Sequence, residues 1–137
     1  MAVRAVRGAV QVDADERDQV LKGTAELVTA LFDANDFAPD DVISLLFTTT
    51  PDLTSEFPAS AARGLGLTDT PLLCASEIDV PGAMPRVVRV LAHVETMRSK
   101  QEIRHVYLRG AVDLRRDVAQ QPAPAYPRRI RGRTVRR

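Results

Sequence analysis

Charges set inside apolar runs are the most informative positions in this chain. Arg7 lies in the run 2–12, where Val3, Ala5, Arg7 and Ala9 share one face of a β-strand and Arg4, Val6, Gly8 and Val10 share the other. A charge in an apolar row is unusual. In the run 87–96, Val88, Val90, Ala92 and Val94 form an apolar face, and Arg89 points the opposite way with Leu91, His93 and Glu95. In the run 105–114, His105, Tyr107 and Arg109 share a face, while Val106, Leu108 and Val112 are apolar. Pairing of these strands would bring Arg7, Arg89 and Tyr107 onto one concave surface. Guanidinium forks bind carboxylates bidentately, so two Arg with a Tyr suit a small polyanion. The competing reading is structural: an Arg in a strand commonly lies on a solvated face or makes an ion pair, and Glu77 is an available partner.

Other chemistries find little support. Cys74 is the only cysteine, so no internal disulfide is expected, and its type suits a reducing compartment such as the cytoplasm. It is expected to act as a small hydrophobe, not as a nucleophile. His93 and His105 have no metal-ligand spacing with each other or with Cys74, so no metal site is expected. No Gly-rich phosphate loop, GxSxG or HExxH motif occurs. No internal repeat is visible.

These candidates need elements to hold them. Residues 2–12 read as a strand and 13–35 as one long helix, with Asp13 and Glu16 spaced as a capping box and Asp15 adding negative charge to the first turn. Val20, Leu21, Thr24, Ala25, Val28, Leu31 and Phe32 recur at three- and four-residue steps and predict its apolar face. Residues 37–41 form a turn around Pro39. Val42–Thr49 reads as a buried central strand. A loop over 51–58 leads to a short helix at 58–65, with Pro at its first turn and Gly64 or Gly66 as its stop. Further strands are expected at 70–76, 87–96 and 105–114, with a loop at 79–85. The expected fold is α+β: a five-stranded mixed, mostly antiparallel sheet packed with one long and one short helix on one face. A single long helix leaves the other face short of cover, which argues for an oligomer that closes a core between subunits.

Composition divides the chain in two. Its 137 residues are 45% apolar and 27% charged, as in ordinary globular proteins, and no apolar stretch is long enough to span a membrane. No apolar segment follows Arg4 and Arg7, so no secretory signal is expected. The net charge of +1 averages two unlike parts. Residues 1–116 carry 13 basic and 17 acidic groups, a net of −4; residues 117–137 carry six Arg and one Asp, a net of +5. The expected organisation is a folded domain over 1–117 and a Pro- and Arg-rich tail over 118–137 without an apolar period, hence disordered. The tail has one interleaved aromatic, Tyr126, so nucleic-acid binding is not the favoured role.

The order of residues goes further. Val-Arg-Ala-Val-Arg-Gly-Ala at 3–9, Thr-Pro-Asp-Leu at 50–53, Phe-Pro-Ala-Ser-Ala-Ala-Arg at 57–63, Cys-Ala-Ser-Glu-Ile-Asp-Val at 74–80, Arg-Val at 89–90, Ile-Arg-His-Val-Tyr-Leu at 103–108 and Leu-Arg at 114–115 occur in succession. Together they resemble the monofunctional chorismate mutases of the trimeric, pseudo-α/β-barrel class, not the all-helical class. The resemblance runs from about residue 2 to Asp117.

The resemblance implies a homotrimer with active sites between neighbouring subunits and the rearrangement of chorismate to prephenate, the branch step of aromatic amino acid biosynthesis toward Phe and Tyr. That unimolecular [3,3] shift needs no cofactor, metal or nucleophile. By resemblance, Arg89 is the cation facing the ether oxygen, Arg7 binds carboxylate, Tyr107 supports the same end of the ligand, and Glu77 hydrogen-bonds the ring hydroxyl. Cys74 lies beside that Glu. Phe57, Ala59, Arg63, Leu72 and Leu73 match a wall contributed largely by the adjacent subunit, and Leu114 and Arg115 match the segment that closes over the site. Ser60 stands where the family often has Lys, which leaves Arg63 as the charge of that rim. A non-catalytic trimeric protein that binds a carboxylate ligand on the same scaffold is the alternative.

Overall fold

Alternation along the Val-rich runs becomes a sheet with two unlike faces. The computed structural model describes residues 1–114; Arg115 and the tail at 118–137 lie outside the described residues. Strands β1 (Ala2–Gln11), β2 (Val42–Thr49), β3 (Leu72–Ser76), β4 (Val87–Thr96) and β5 (Val106–Leu108) form one sheet in the order β3-β2-β4-β1-β5. The long β1–β4 and β2–β4 pairings at its centre are antiparallel, and the shorter edge pairings β2–β3 and β1–β5 are parallel. The architecture is the expected α+β fold with a five-stranded mixed sheet.

One face is covered by helix α1 (Arg17–Asn35) and the short helix α2 (Ala59–Gly64). Val20, Leu27, Val28 and Leu31 of α1 pack with Val6 and Val10 of β1, Phe47 of β2 and Val88, Val90, Ala92 and Val94 of β4 in a single core. Truncating a residue such as Leu27 in such a core costs about 2–5 kcal/mol. The helix lies close to β1 at Gly8, where an added Cβ would come within 2.9 Å of Leu27 and 3.0 Å of the Val106 carbonyl. The absence of a side chain there lets both α1 and β5 approach β1. The other face carries no α-helix among the described residues, only a small core in which Ala111, from a 3-10 turn after β5, packs with Ala9 and Val87, and the site residues lie beside it.

Four local expectations are corrected. The capping box at Asp13 and Glu16 does not form: the helix begins at Arg17, its N-cap Glu16 makes no side-chain capping bond, and Asp15 instead caps a distant loop. That carboxylate accepts the Thr54 and Ser55 N–H groups and the Thr54 hydroxyl at 2.9–3.0 Å. The buried face of α1 is centred on Gly23, Leu27 and Asn35 as well as Val20, Thr24, Val28 and Leu31, while Leu21, Ala25 and Phe32 sit at its half-buried edges. Strand β2 is interior but buried on one face only; β4 is the central strand.

The run at 105–114 is the fourth. Its strand is only Val106–Leu108, and the chain then enters a 3-10 turn over Arg109–Leu114. Arg109 adopts a left-handed conformation with φ of 54°, which ends the strand. At Gly110, which follows, an added Cβ would meet the end of the Gln11 side chain, which would have to move aside. Arg109 therefore leaves the face of Tyr107 and pairs with Glu26 of α1 at 2.7 Å.

Candidate functional site on the open sheet face

Register decides which side chains meet on the open face. Arg89 of β4 is opposite Ala9 of β1 and Thr48 of β2; Ala9 is in turn opposite Tyr107 of β5. One step along the strands, Leu91 lies between Arg7 and Leu46, and Leu46 is opposite Leu73. Two rows thus cross the sheet on one face, one running Thr48–Arg89–Ala9–Tyr107 and the other Leu73–Leu46–Leu91–Arg7. Ala9, between Arg89 and Tyr107, is fully buried and packs with Val87 and Ala111. Above these rows is an open cleft of about 440 Å³, within the range of small-ligand sites. Leu46, Leu91 and Leu114 supply apolar walls; Arg7, Thr48, Arg89 and Tyr107 supply polar groups.

Glu77 joins the cleft from just beyond β3. Its N–H donates to the Thr49 carbonyl at 2.8 Å, which continues the ladder by one bond. Its carboxylate accepts the Thr48 hydroxyl at 2.7 Å and faces Arg89 Nε at 3.6 Å. The Glu77 side chain is 18% exposed and that of Arg89 41%, so the pair is partly shielded from water without being deeply desolvated. The terminal guanidinium nitrogens of Arg89 make no ion pair among the described residues, and Arg7 makes none at all there. Two cationic forks with spare donors, one carboxylate fixed beside one of them, and a phenol are what a compact dianion with a hydroxyl would need.

The structure brings together Arg7, Glu77, Arg89, Tyr107 and Leu114. Leu73 lies on the same face, in the row of Arg7, and is 65% exposed. The remaining candidates sit elsewhere in the chain. Phe57 and Cys74 line a separate groove of about 300 Å³ with Thr49, Leu53, Glu56 and Pro58. Cys74 belongs to the helix-covered face of β3, opposite Phe47, as does Leu72 opposite Leu45. Ala59 is buried in α2, and Arg63 on the same helix donates to Ser60 Oγ at 3.2 Å. Glu56 accepts the Phe57 N–H and the Arg17 side chain, and these bonds hold its carboxyl below the ordinary range. Among the described residues no three His, Cys, Asp or Glu side chains converge to ligate a metal ion. No described helix is long and apolar enough to cross a membrane.

Thr48, Leu46 and Leu91 were not legible as site residues. Alternation does put Leu46 and Thr48 on one face of β2, but which face opens onto Arg89 depends on a strand pairing some 40 residues away in sequence. Two further residues support the site from outside the cleft. His105 accepts the Arg7 N–H at Nδ1, 3.0 Å away, and Asn35 holds the Arg104 peptide from both sides.

Residues 3–118 match the family model "Chorismate mutase type I". The chain is similar to Chorismate mutase AroH of Thermus thermophilus, 45% identical over 117 residues that cover 85% of this chain and 96% of that protein. It is 38% identical over 120 residues to Chorismate mutase AroH of Bacillus subtilis (strain 168), with 87% and 94% covered. Its fold superposes on a solved chorismate mutase from Clostridium thermocellum with a TM-score of 0.77 at 45% identity, covering 78% of this chain and 96% of that one.

Proposed function

The chain belongs to the type I chorismate mutase family and is an isomerase that converts chorismate to prephenate; we propose that the open-face cleft is where it does so. The observation that carries this reading is the convergence of Arg7, Arg89 and Tyr107 on one cleft, with Glu77 set 3.6 Å from Arg89.

The reaction is an intramolecular [3,3] rearrangement, so the protein has two tasks. It must hold a flexible dianion in the compact conformer that brings the reacting carbons together, an advantage of proximity and orientation. It must also favour the transition state over the substrate. The ether C–O bond breaks ahead of C–C bond formation, so negative charge grows on the ether oxygen and positive charge on the ring. In our reading Arg89 supplies the fixed cation for that oxygen, an electrostatic effect that grows along the reaction. Glu77 accepts the ring hydroxyl and faces the developing positive charge, with Thr48 holding its carboxylate. Arg7, whose guanidinium makes no ion pair among the described residues, binds a substrate carboxylate, and Tyr107 supports the same end. Leu114 supplies an apolar wall beside the ligand.

We further propose that the site is completed by a second subunit of a homotrimer, with Phe57, Ala59, Arg63, Leu72, Leu73 and Cys74 contributing wall or adjacent structure. Two observations support it. Phe57, Ala59, Arg63 and Cys74 do not line the cleft that holds Arg89 in the same chain. Phe57, Leu73, Ile78 and Val80 are large apolar residues left 55–86% exposed, and exposed apolar surface of this kind marks an interface. The catalytic unit is taken as 1–117 and the basic segment 118–137 as an appendage; Cys74 as the only cysteine and the bacterial relatives support a cytoplasmic location. The binding-only alternative would leave chorismate unchanged, and the presence of Arg7, Glu77, Arg89 and Tyr107 together weighs against it. Sedimentation combined with turnover tests the reading: an active trimer is expected, and a stable monomer with full activity would contradict an interfacial site.

A further inference from the structure

Arg7 and Tyr107 work as a pair only if β1 and β5 keep a fixed relation, and β5 is three residues long. The β1–β5 ladder starts at Gly8 opposite Val106 and ends at Val10 opposite Leu108. So short a pairing at a sheet edge has little hold of its own. The segment just before it is pinned from two sides. Asn35, at the end of α1 and only 1% exposed, donates from Nδ2 to the Arg104 carbonyl at 2.9 Å and accepts the Arg104 N–H at Oδ1, 2.7 Å away. The same Nδ2 also donates to the Leu31 carbonyl at 2.9 Å, which fixes the amide to its own helix. The next residue, His105, accepts the Arg7 N–H at Nδ1 over 3.0 Å. That bond requires an unprotonated Nδ1. The imidazole therefore takes the place of a strand carbonyl one residue before the backbone ladder begins.

We propose that Asn35 and His105 form a clamp that positions Arg7 and Tyr107 relative to each other, making both residues positioning residues for substrate binding. Asn35 fixes the 104 peptide to the helix layer. His105 fixes the backbone of Arg7 to that peptide. Tyr107 follows two residues later on the same short segment. Neither Asn35 nor His105 lines the cleft, so neither is assigned a contact with substrate. Loss of the clamp would let β5 shift along its edge and misplace the carboxylate-binding end of the site, which raises KM and leaves the electrostatics at Arg89 untouched. The inference rests on the reading of Arg7 as a carboxylate-binding residue.

The test compares His105→Leu, His105→Asn and Arg7→Ala for chorismate KM and kcat, with thermal midpoints measured in parallel. Leu fills similar space but has no acceptor, whereas Asn presents an acceptor oxygen near the position of Nδ1. His105→Leu is expected to raise KM by about threefold to tenfold, the range of one hydrogen bond, with kcat changed by less than about twofold. His105→Asn is expected to restore most of the lost affinity. In ¹⁵N-labelled wild-type protein the His105 Nδ1 resonance should lie in the acceptor range, and the Arg7 amide should exchange faster in His105→Leu. A lowered midpoint with unchanged KM in His105→Leu, while Arg7→Ala raises KM, would overturn the clamp alone. Unchanged KM in Arg7→Ala would overturn the reading of Arg7, and the clamp with it.

Discussion

The Thr48 hydroxyl donates at 2.7 Å to Glu77 Oε2, the same carboxylate oxygen that stands 3.6 Å from Arg89. One strand residue thereby orients the acid that sits beside the central cation. The contact links β2 to the segment after β3 and gives Glu77 a fixed position on an otherwise exposed stretch. Ala75 and Ser76 before it and Ile78 to Val80 after it are all exposed.

Thr48→Val removes that donor while keeping the side chain's shape. We expect kcat/KM to fall about threefold to tenfold, the range of an ordinary hydrogen bond and below that of a bond to a fully buried charge, because the pair is only partly buried. Thr48→Ser should keep most of the activity. A valine variant with unaltered kcat/KM would show that Glu77 is held by other means.

Asp15 offers a prediction about acid stability. Hydrogen bonds from Ser55 and Thr54, only partly opposed by desolvation, hold its carboxyl below its ordinary value of 3.8. A depressed pKa means that the charged form is favoured in the folded state. The contribution is therefore complete well above pH 3.8 and is lost as pH falls from there through the folded-state value. Asp15→Ala should destabilise the protein at pH 7 by about 0.5–1 kcal/mol, given the exposure of the site. Its difference from the parent protein should shrink below pH 3.8. A difference independent of pH, measured by denaturant titration, would remove the carboxylate from the explanation.

The proposed division of the site between subunits predicts complementation. Arg89→Ala and Arg63→Ala should each form weakly active assemblies. Co-expressed in equal amounts, they should recover activity, because about one quarter of the interfaces in a random cyclic assembly would join an intact Arg89 side to an intact Arg63 side. Mixed assemblies with no more activity than their parents would contradict an interfacial site.

Much of this was legible in the residues, and the failures have physical causes. Strands β1, β2 and β4 follow alternation, and the ends of β2 and β4 match the sequence reading. The opposed faces of β4 also hold, with Arg89 set against Val88 and Val90. The helix start was misread because Asp15 bonds to a loop almost 40 residues away, a contact that local spacing does not encode. The last strand was overextended because apolar alternation at 106–112 says nothing of the left-handed turn at Arg109. Thr48 is not legible as a site residue, and the structural reading of His105 does not reveal its bond to Arg7, for one reason: both act through strand pairings that only the folded register defines. Leu27 lay outside the expected apolar face, yet it is fully buried against β1, where Gly8 makes room.

The measurement closest to the central claim is chorismate turnover by the purified protein and by Arg89→Ala, with prephenate formation followed alongside chorismate loss. The parent protein should convert chorismate to an equal amount of prephenate. Arg89→Ala should keep its fold and lose about two to three orders of magnitude in kcat, the effect of removing one fixed group aimed at developing negative charge. Arg89→Lys should also be poor, because a point charge does not replace the planar fork. Full turnover by a folded Arg89→Ala protein would contradict the account.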